Sequence, residues 1–181
     1  MKYVFTIGIT AACLLVGYFL YTTYSHNEVT SQSIQTPVAD ISEPTRTVPP
    51  GMKEYNNAQY QFSFFYPETL RVEEFDEGGG AATITFQNST EGKGFQVFIA
   101  PYGEPQVSEE RFKKDLPSGV RLGLSDMSID GVTAAAFYSK NAILGETREV
   151  WFIHNGFLYE VTTLKSFEVW LSDILDTWQF L

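Results

Sequence analysis

Cysteine and histidine are almost missing from this chain of 181 residues: the single cysteine is Cys13, and the histidines are His26 and His154. With no thiol beyond Cys13 there is no disulfide framework and no thiolate metal site. Two imidazoles also fall short of the three or four ligands that a His/Cys metal centre needs. Positive charge is scarce as well, with 12 Lys and Arg against 22 Asp and Glu and a formal net charge of −10. Nucleic-acid binding requires clustered cations to neutralise phosphates, so that class is excluded, and a surface for anionic lipid is excluded on the same ground. The excess acids read as a solvated surface. No G-x-S-x-G elbow is present. Gly78-Gly79-Gly80 is not a phosphate loop, because no Gly-Lys-Ser/Thr follows it and acids adjoin it. No residue is assigned a catalytic or cofactor-binding role, and no cofactor is implied.

What the chain does have falls into three parts. From Tyr3 to Tyr24 it runs 22 residues without a charge. A helix of that length covers about 33 Å, enough for a hydrocarbon core of about 30 Å. Tyr18, Tyr21 and Tyr24 gather at its far end, where amphipathic rings favour the interface. Residues 1–24 are therefore expected to be a transmembrane anchor with its N-terminus in the cytoplasm, because Lys2 precedes it. The alternative is a lipoprotein anchored through Cys13 of the lipobox-like "TAAC", although eleven further residues of the run follow it. A cleaved signal peptide fits less well, since "TTYSHN" is a poor cleavage site. Residues 25–51 turn to Ser, Thr, Gln, Asn and Pro without an aromatic, the composition of a tether. Residues 52–181 are an ordinary length for one domain, and carry 10 basic and 19 acidic residues.

Within the domain, "YQFSFFYP" (60–67) alternates aromatics and stops at proline, as a half-buried strand does. "LRVEEF" (70–75) is a short strand ended by a loop at "DEGGG", and strands follow at 81–88 and 94–102. "VSEERFKKDL" (107–116) predicts a helix capped by Ser108, with acids at its start and lysines at its end. Residues 126–140 form a hairpin turning at Asp130-Gly131. A tight turn at Asn155-Gly156 pairs His154 with Phe157, Phe152 with Tyr159 and Val150 with Val161. One face of that hairpin then carries Val150, Phe152, His154, Phe157, Tyr159 and Val161. The other carries Trp151, Ile153 and Leu158 together with Glu149, Glu160 and Thr162. Finally, apolar residues at Phe167, Trp170, Leu171, Ile174, Leu175 and Trp178 mark one face of a helix over 166–181, with Ser166 as its cap.

An initial "YQFSFFYP" strand, a β-rich middle, the aromatic hairpin "VWFIHNGFLYEVTT" and a helix closing on "ILDTWQFL" together resemble the PsbP-like superfamily. That is the fold of the extrinsic photosystem II subunit, shared with a Ran-binding import factor. The resemblance covers residues 56–181. It implies an α+β domain, an antiparallel sheet of about six strands flanked by helices in an α/β/α sandwich, preceded here by one transmembrane helix. It also implies a non-enzymatic binding or assembly module, and it carries over no functional residue.

Three features compete with that reading. His154 could serve as a general base near neutral pH, yet a histidine beside a tight turn on an aromatic face reads first as edge packing. Glu73, Glu74, Asp76 and Glu77 offer oxygens for weak Ca²⁺ binding, although the EF-hand order of ligands is absent. The acids of the domain allow many carboxylate pairs of the kind glycoside hydrolysis uses. Asn88-Ser89-Thr90 fits a glycosylation sequon. The leading expectation is an extracytoplasmic, non-catalytic module, held in the membrane by residues 3–24, that binds a protein partner at or near the membrane surface. The alternatives are a cell-surface hydrolase using carboxylates or His154, and a weak Ca²⁺- or ligand-sensing domain.

Overall fold

The computed structural model of the chain describes residues 46–116 and 118–181. The expected anchor, Cys13 and the tether up to residue 45 lie outside the described residues. Among the described residues no helix is long and apolar enough to cross a membrane.

The chain first forms β1 (Met52–Asn57), a strand that no sustained alternation in its sequence marks, and pairs it with β2 (Phe62–Pro67). Next come β3 (Arg71–Gly78), β4 (Ala81–Asn88) and β5 (Lys93–Pro101) as an antiparallel meander. The "DEGGG" segment is a correction to the expected loop: β3 runs through it to Gly78, and only Gly79 and Gly80, both at positive φ, make the turn. Helix α1 (Glu109–Asp115) starts as expected, with the Ser108 hydroxyl accepting from the Arg111 amide at 3.2 Å.

The two hairpins follow their turn chemistry. Strands β6 (Leu122–Ile129) and β7 (Val132–Asn141) meet at Asp130-Gly131, with φ of 44° and 81°. Strands β8 (Gly145–His154) and β9 (Phe157–Leu164) meet at Asn155-Gly156, with φ of 47° and 79°. Positive φ at both central residues matches the twist of the strands, which is why these dipeptides set the register. The pairs His154–Phe157, Phe152–Tyr159 and Val150–Val161 form as expected.

The last element is shorter than its periodicity predicts. A 3-10 turn at Lys165–Phe167 leads into α2 (Glu168–Leu175), and the chain then pairs as β10 (Gln179–Phe180) with β2. Thr177 ends the helix: its hydroxyl donates to the Ile174 carbonyl at 2.7 Å and accepts the Phe65 amide of β2 at 2.9 Å. Ser166 makes no side-chain cap, and Glu168 is drawn instead to Tyr138.

The strands therefore build a seven-stranded sheet in the order β3-β4-β5-β9-β8-β7-β6 and a three-stranded sheet in the order β1-β2-β10. This corrects the expected sheet of six strands, because β6 to β9 all join one ladder and the first strands form their own. One face of the large sheet packs Ile84, Phe86, Val97, Ile99, Val150, Phe152 and Tyr159 against Phe62 and Phe64 of β2 and Leu171, Ile174 and Leu175 of α2. Trp178 stacks on Phe62 at 4.4 Å and on Phe64 at 5.0 Å between centroids. The opposite face is covered by α1, where Phe112 and Leu116 meet Phe137, Trp151 and Leu158. Each such large side chain contributes roughly 1.5–3 kcal/mol when fully buried.

Candidate functional site

The residues with chemical potential fall on opposite faces of the large sheet. On the α2 face, register brings Ser125 of β6, Ala136 of β7 and Val150 of β8 into one cross-strand row. The neighbouring rows are larger: Met127–Ala134–Phe152 on one side and Leu122–Tyr138–Arg148 on the other. Between this end of the sheet and α2 lies a cavity of about 220 Å³. Its apolar lining comes from Met127, Val150, Leu171 and Leu175, and its polar rim from Arg148, Glu168 and Ser172, with Val169 beside them. A broader depression of about 620 Å³ continues past Glu168 and Val169 to Leu144, Glu146, Leu164, Lys165 and Ser166.

Tyr138 organises the rim. Its hydroxyl donates to Glu168 Oε2 at 2.6 Å, and that carboxylate, more than burial, holds the phenol above its usual pKa. The Arg148 guanidinium and the Lys165 ammonium each lie 5.0 Å from the Tyr138 ring centroid. Cations are attracted to aromatic faces at this range. Lys165 also pairs with Glu146 at 3.1 Å, whereas Arg148 has no carboxylate partner among the described residues. Val169 is 72 % exposed, and Leu122, Leu124 and Ile143 are exposed as well. Because β6 is the outermost strand of its sheet, the outward backbone groups of Leu122–Ile129 have no strand beside them among the described residues.

Beneath α1 lies a second constellation, this one closed. Arg111 pairs through Nε with Asp115 Oδ2 and reaches Glu160 Oε1 at 3.4 Å. Glu149 accepts from the hydroxyls of Thr147 and Thr162, both at 2.6 Å, and from Trp151 Nε1 at 3.4 Å. Burial pushes the Glu149 carboxyl up, against the pull of those three donors. Glu160 is raised well above a normal carboxyl, by burial first and then by its contact with Asp115, with Arg111 opposing. One cation is too few to balance the buried carboxyls, and the site favours the protonated forms of Glu149 and Glu160. Glu149 and Glu160 are only 5 % and 6 % exposed, so a substrate has no access to them as α1 sits.

The residues singled out from sequence disperse. His154 stacks on Phe180 at 3.7 Å between centroids, and burial lowers its pKa against the field of Asp130. No serine or acid hydrogen-bonds to it among the described residues. The pleat of β3 splits the acidic run between two faces. Glu73 meets Arg71 and Gln87, while Glu74 accepts from Tyr55. Asp76 accepts the Gly78 amide, and Glu77 accepts from Thr83. No three His, Cys, Asp or Glu side chains converge as metal ligands among the described residues. Asn88 folds over its own turn, accepting from the amides of Thr90 and Glu91.

The hairpin register alone places Glu149, Glu160 and Thr162 on one face with Trp151 and Leu158, but it does not connect them to the helix. Arg111 and Asp115, one helical turn apart in "EERFKKD", were the available signal. The cleft had no comparable signal, because its lining comes from β6, β8 and α2, which are well separated in sequence.

No protein-family model matches the chain, and no curated protein matches it in sequence. Among solved structures, the solution structure of cyanobacterial PsbP (CyanoP) from Synechocystis sp. PCC 6803 is similar, with a TM-score of 0.55 at 8% identity. The match covers 78% of this chain and 99% of that one.

Proposed function

We propose that this chain, whose fold is PsbP-like, is a non-catalytic protein-binding module, tethered outside a membrane by residues 3–24 and holding a partner at the cleft between α2 and the β6–β8 end of the sheet. The observation that carries the reading is a contrast of access. The groups best suited to acid–base work, Glu149 and Glu160, are sealed beneath α1, while the accessible concavity has an apolar lining and a mixed-charge rim. An apolar centre with a polar border is the anatomy of a protein contact. The PsbP-like fold supports the reading, as does the uncharged run at residues 3–24 ahead of a Ser/Thr/Pro-rich tether.

The test is photo-crosslinking in the cells that make the protein, using the full chain with a photoreactive amino acid at Val169. A polypeptide adduct of constant mass is expected there and not from the same substitution at Lys53 of β1. Extraction of the membranes with alkaline carbonate should leave the chain in the pellet. An adduct-free Val169, or catalytic turnover by the purified chain, would sink the proposal.

A further inference from the structure

We infer that the cleft receives an extended acidic–apolar segment of the partner protein, laid along β6 as an added strand, with one large apolar side chain in the cavity and a carboxylate on Arg148. The inference rests on the protein-binding reading above and names the chemistry of what is bound.

Size decides the class of occupant. Sites for drug-sized molecules run to about 300–1,000 Å³, whereas a dry cavity of about 150 Å³ accommodates benzene. At about 220 Å³ the space beneath α2 fits one leucine, methionine or phenylalanine side chain. Met127 of β6 lines the cavity on the side of the open edge, and Ser125 is its small neighbour on the same face of that strand. A side chain on a strand beside β6 would pass over Ser125 to reach it.

The edges of the sheet differ in the same sense. At the far edge, β3 carries Glu73, Glu74, Asp76 and Glu77, and charges on an outer strand repel strand addition. At the near edge, β6 is regular from Ser125 to Ile129, past a bulge at Gly123, carries Asp126 as its single charge and exposes Leu122 and Leu124. An extended peptide joins such an edge through main-chain hydrogen bonds and is selected by pockets for alternate side chains.

Charge supplies the third argument. Arg71, Arg111 and Arg121 each pair with an acid, but Arg148 has no such partner among the described residues, in a chain of net charge −10. The guanidinium leans over Tyr138 of β7, one strand nearer the open edge than its own backbone on β8. The Glu168 carboxylate across the rim is already engaged by the Tyr138 hydroxyl. Arg148 is the cation of the lining and has no ion pair among the described residues, so a carboxylate on the bound segment is its complement.

The test selects a random peptide library displayed on phage against the full chain in detergent micelles. The expected peptides share an Asp or Glu close to Phe, Leu or Met. Arg148→Met should weaken their binding by about tenfold or more. Val169→Asp, a change on an exposed helix position outside the core, should weaken it with an unchanged melting temperature. N-methylation along a selected peptide should abolish binding at every second amide only, the period of a strand. Binders without an acid, indifference to Arg148→Met, sensitivity without that period, or displacement by octanoate would each overturn the inference. So would a selection that yields no binder. If the Val169 crosslink persists in that case, the protein-binding reading stands and only the acidic–apolar segment falls.

Discussion

At the residue scale, the cluster under α1 ties stability to pH. The folded-state pKa of Glu160 stands above its value in the unfolded chain, so the native state holds this proton more tightly. Its contribution is complete below about pH 4, where a free Glu carboxyl is protonated, and is lost as pH rises through the raised folded value. Glu149 is shifted in the same direction by burial and adds to the slope. Glu160→Gln removes the titration while keeping an oxygen for Arg111 and a donor for Asp115. Thermal melts across a pH series should therefore fall less steeply with rising pH for Glu160→Gln than for the parent chain. Parallel slopes in the two proteins would show that the cluster does not store a proton. The same variant should leave binding at the cleft untouched, since the two constellations face opposite sides of the sheet.

At the element scale, the segment from Glu168 to Phe180 shows how far pattern reading carries and where it stops. Leu171, Ile174 and Leu175 recur at helical spacing, and all three are buried. Trp178 keeps the same spacing and is also buried, yet it lies beyond the helix, brought in by the turn at Thr177. Periodicity reports which face a residue joins, but not whether the backbone between is helical. The terminator is a contact with the Phe65 amide of β2, which no local signal encodes. Both Asx-Gly turns, by contrast, were legible with their register, because positive φ at two successive residues is a local demand. The cleft was not legible, since Met127 of β6, Arg148 and Val150 of β8 and five residues of α2 line it from three separate regions of the chain. Trp178→Ala should lower stability by about 3–5 kcal/mol, as measured by denaturant unfolding, because the ring stacks on both Phe62 and Phe64 and the void cannot collapse. A loss under about 1 kcal/mol would mean that the small sheet closes without it.

At the scale of the whole molecule, the asymmetry between the two edges of the large sheet governs how copies meet. The β3 edge carries its acids around an exposed Phe75. Glu73→Gln combined with Glu77→Gln keeps the acceptors for Gln87 and Thr83 while removing two charges. Sedimentation velocity should show this variant associating more than the parent at equal concentration, because an uncharged apolar edge invites pairing. Equal sedimentation would mean that the edge is guarded by its twist and not by its charge. The placing of Trp178 and β10 has a consequence for how the chain reaches this state. The bond from the Phe65 amide to the Thr177 hydroxyl joins residues 112 apart in sequence. Long-range closures of this kind slow folding, because loop entropy is lost before any contact rewards it. A ribosome that has made β1 to β9 has not yet supplied the ring that locks β2 in place. The nascent domain must wait, with one side of Phe62 and Phe64 uncovered, until residue 178 has left the exit tunnel, and in that interval it is the most open to chaperones and proteases.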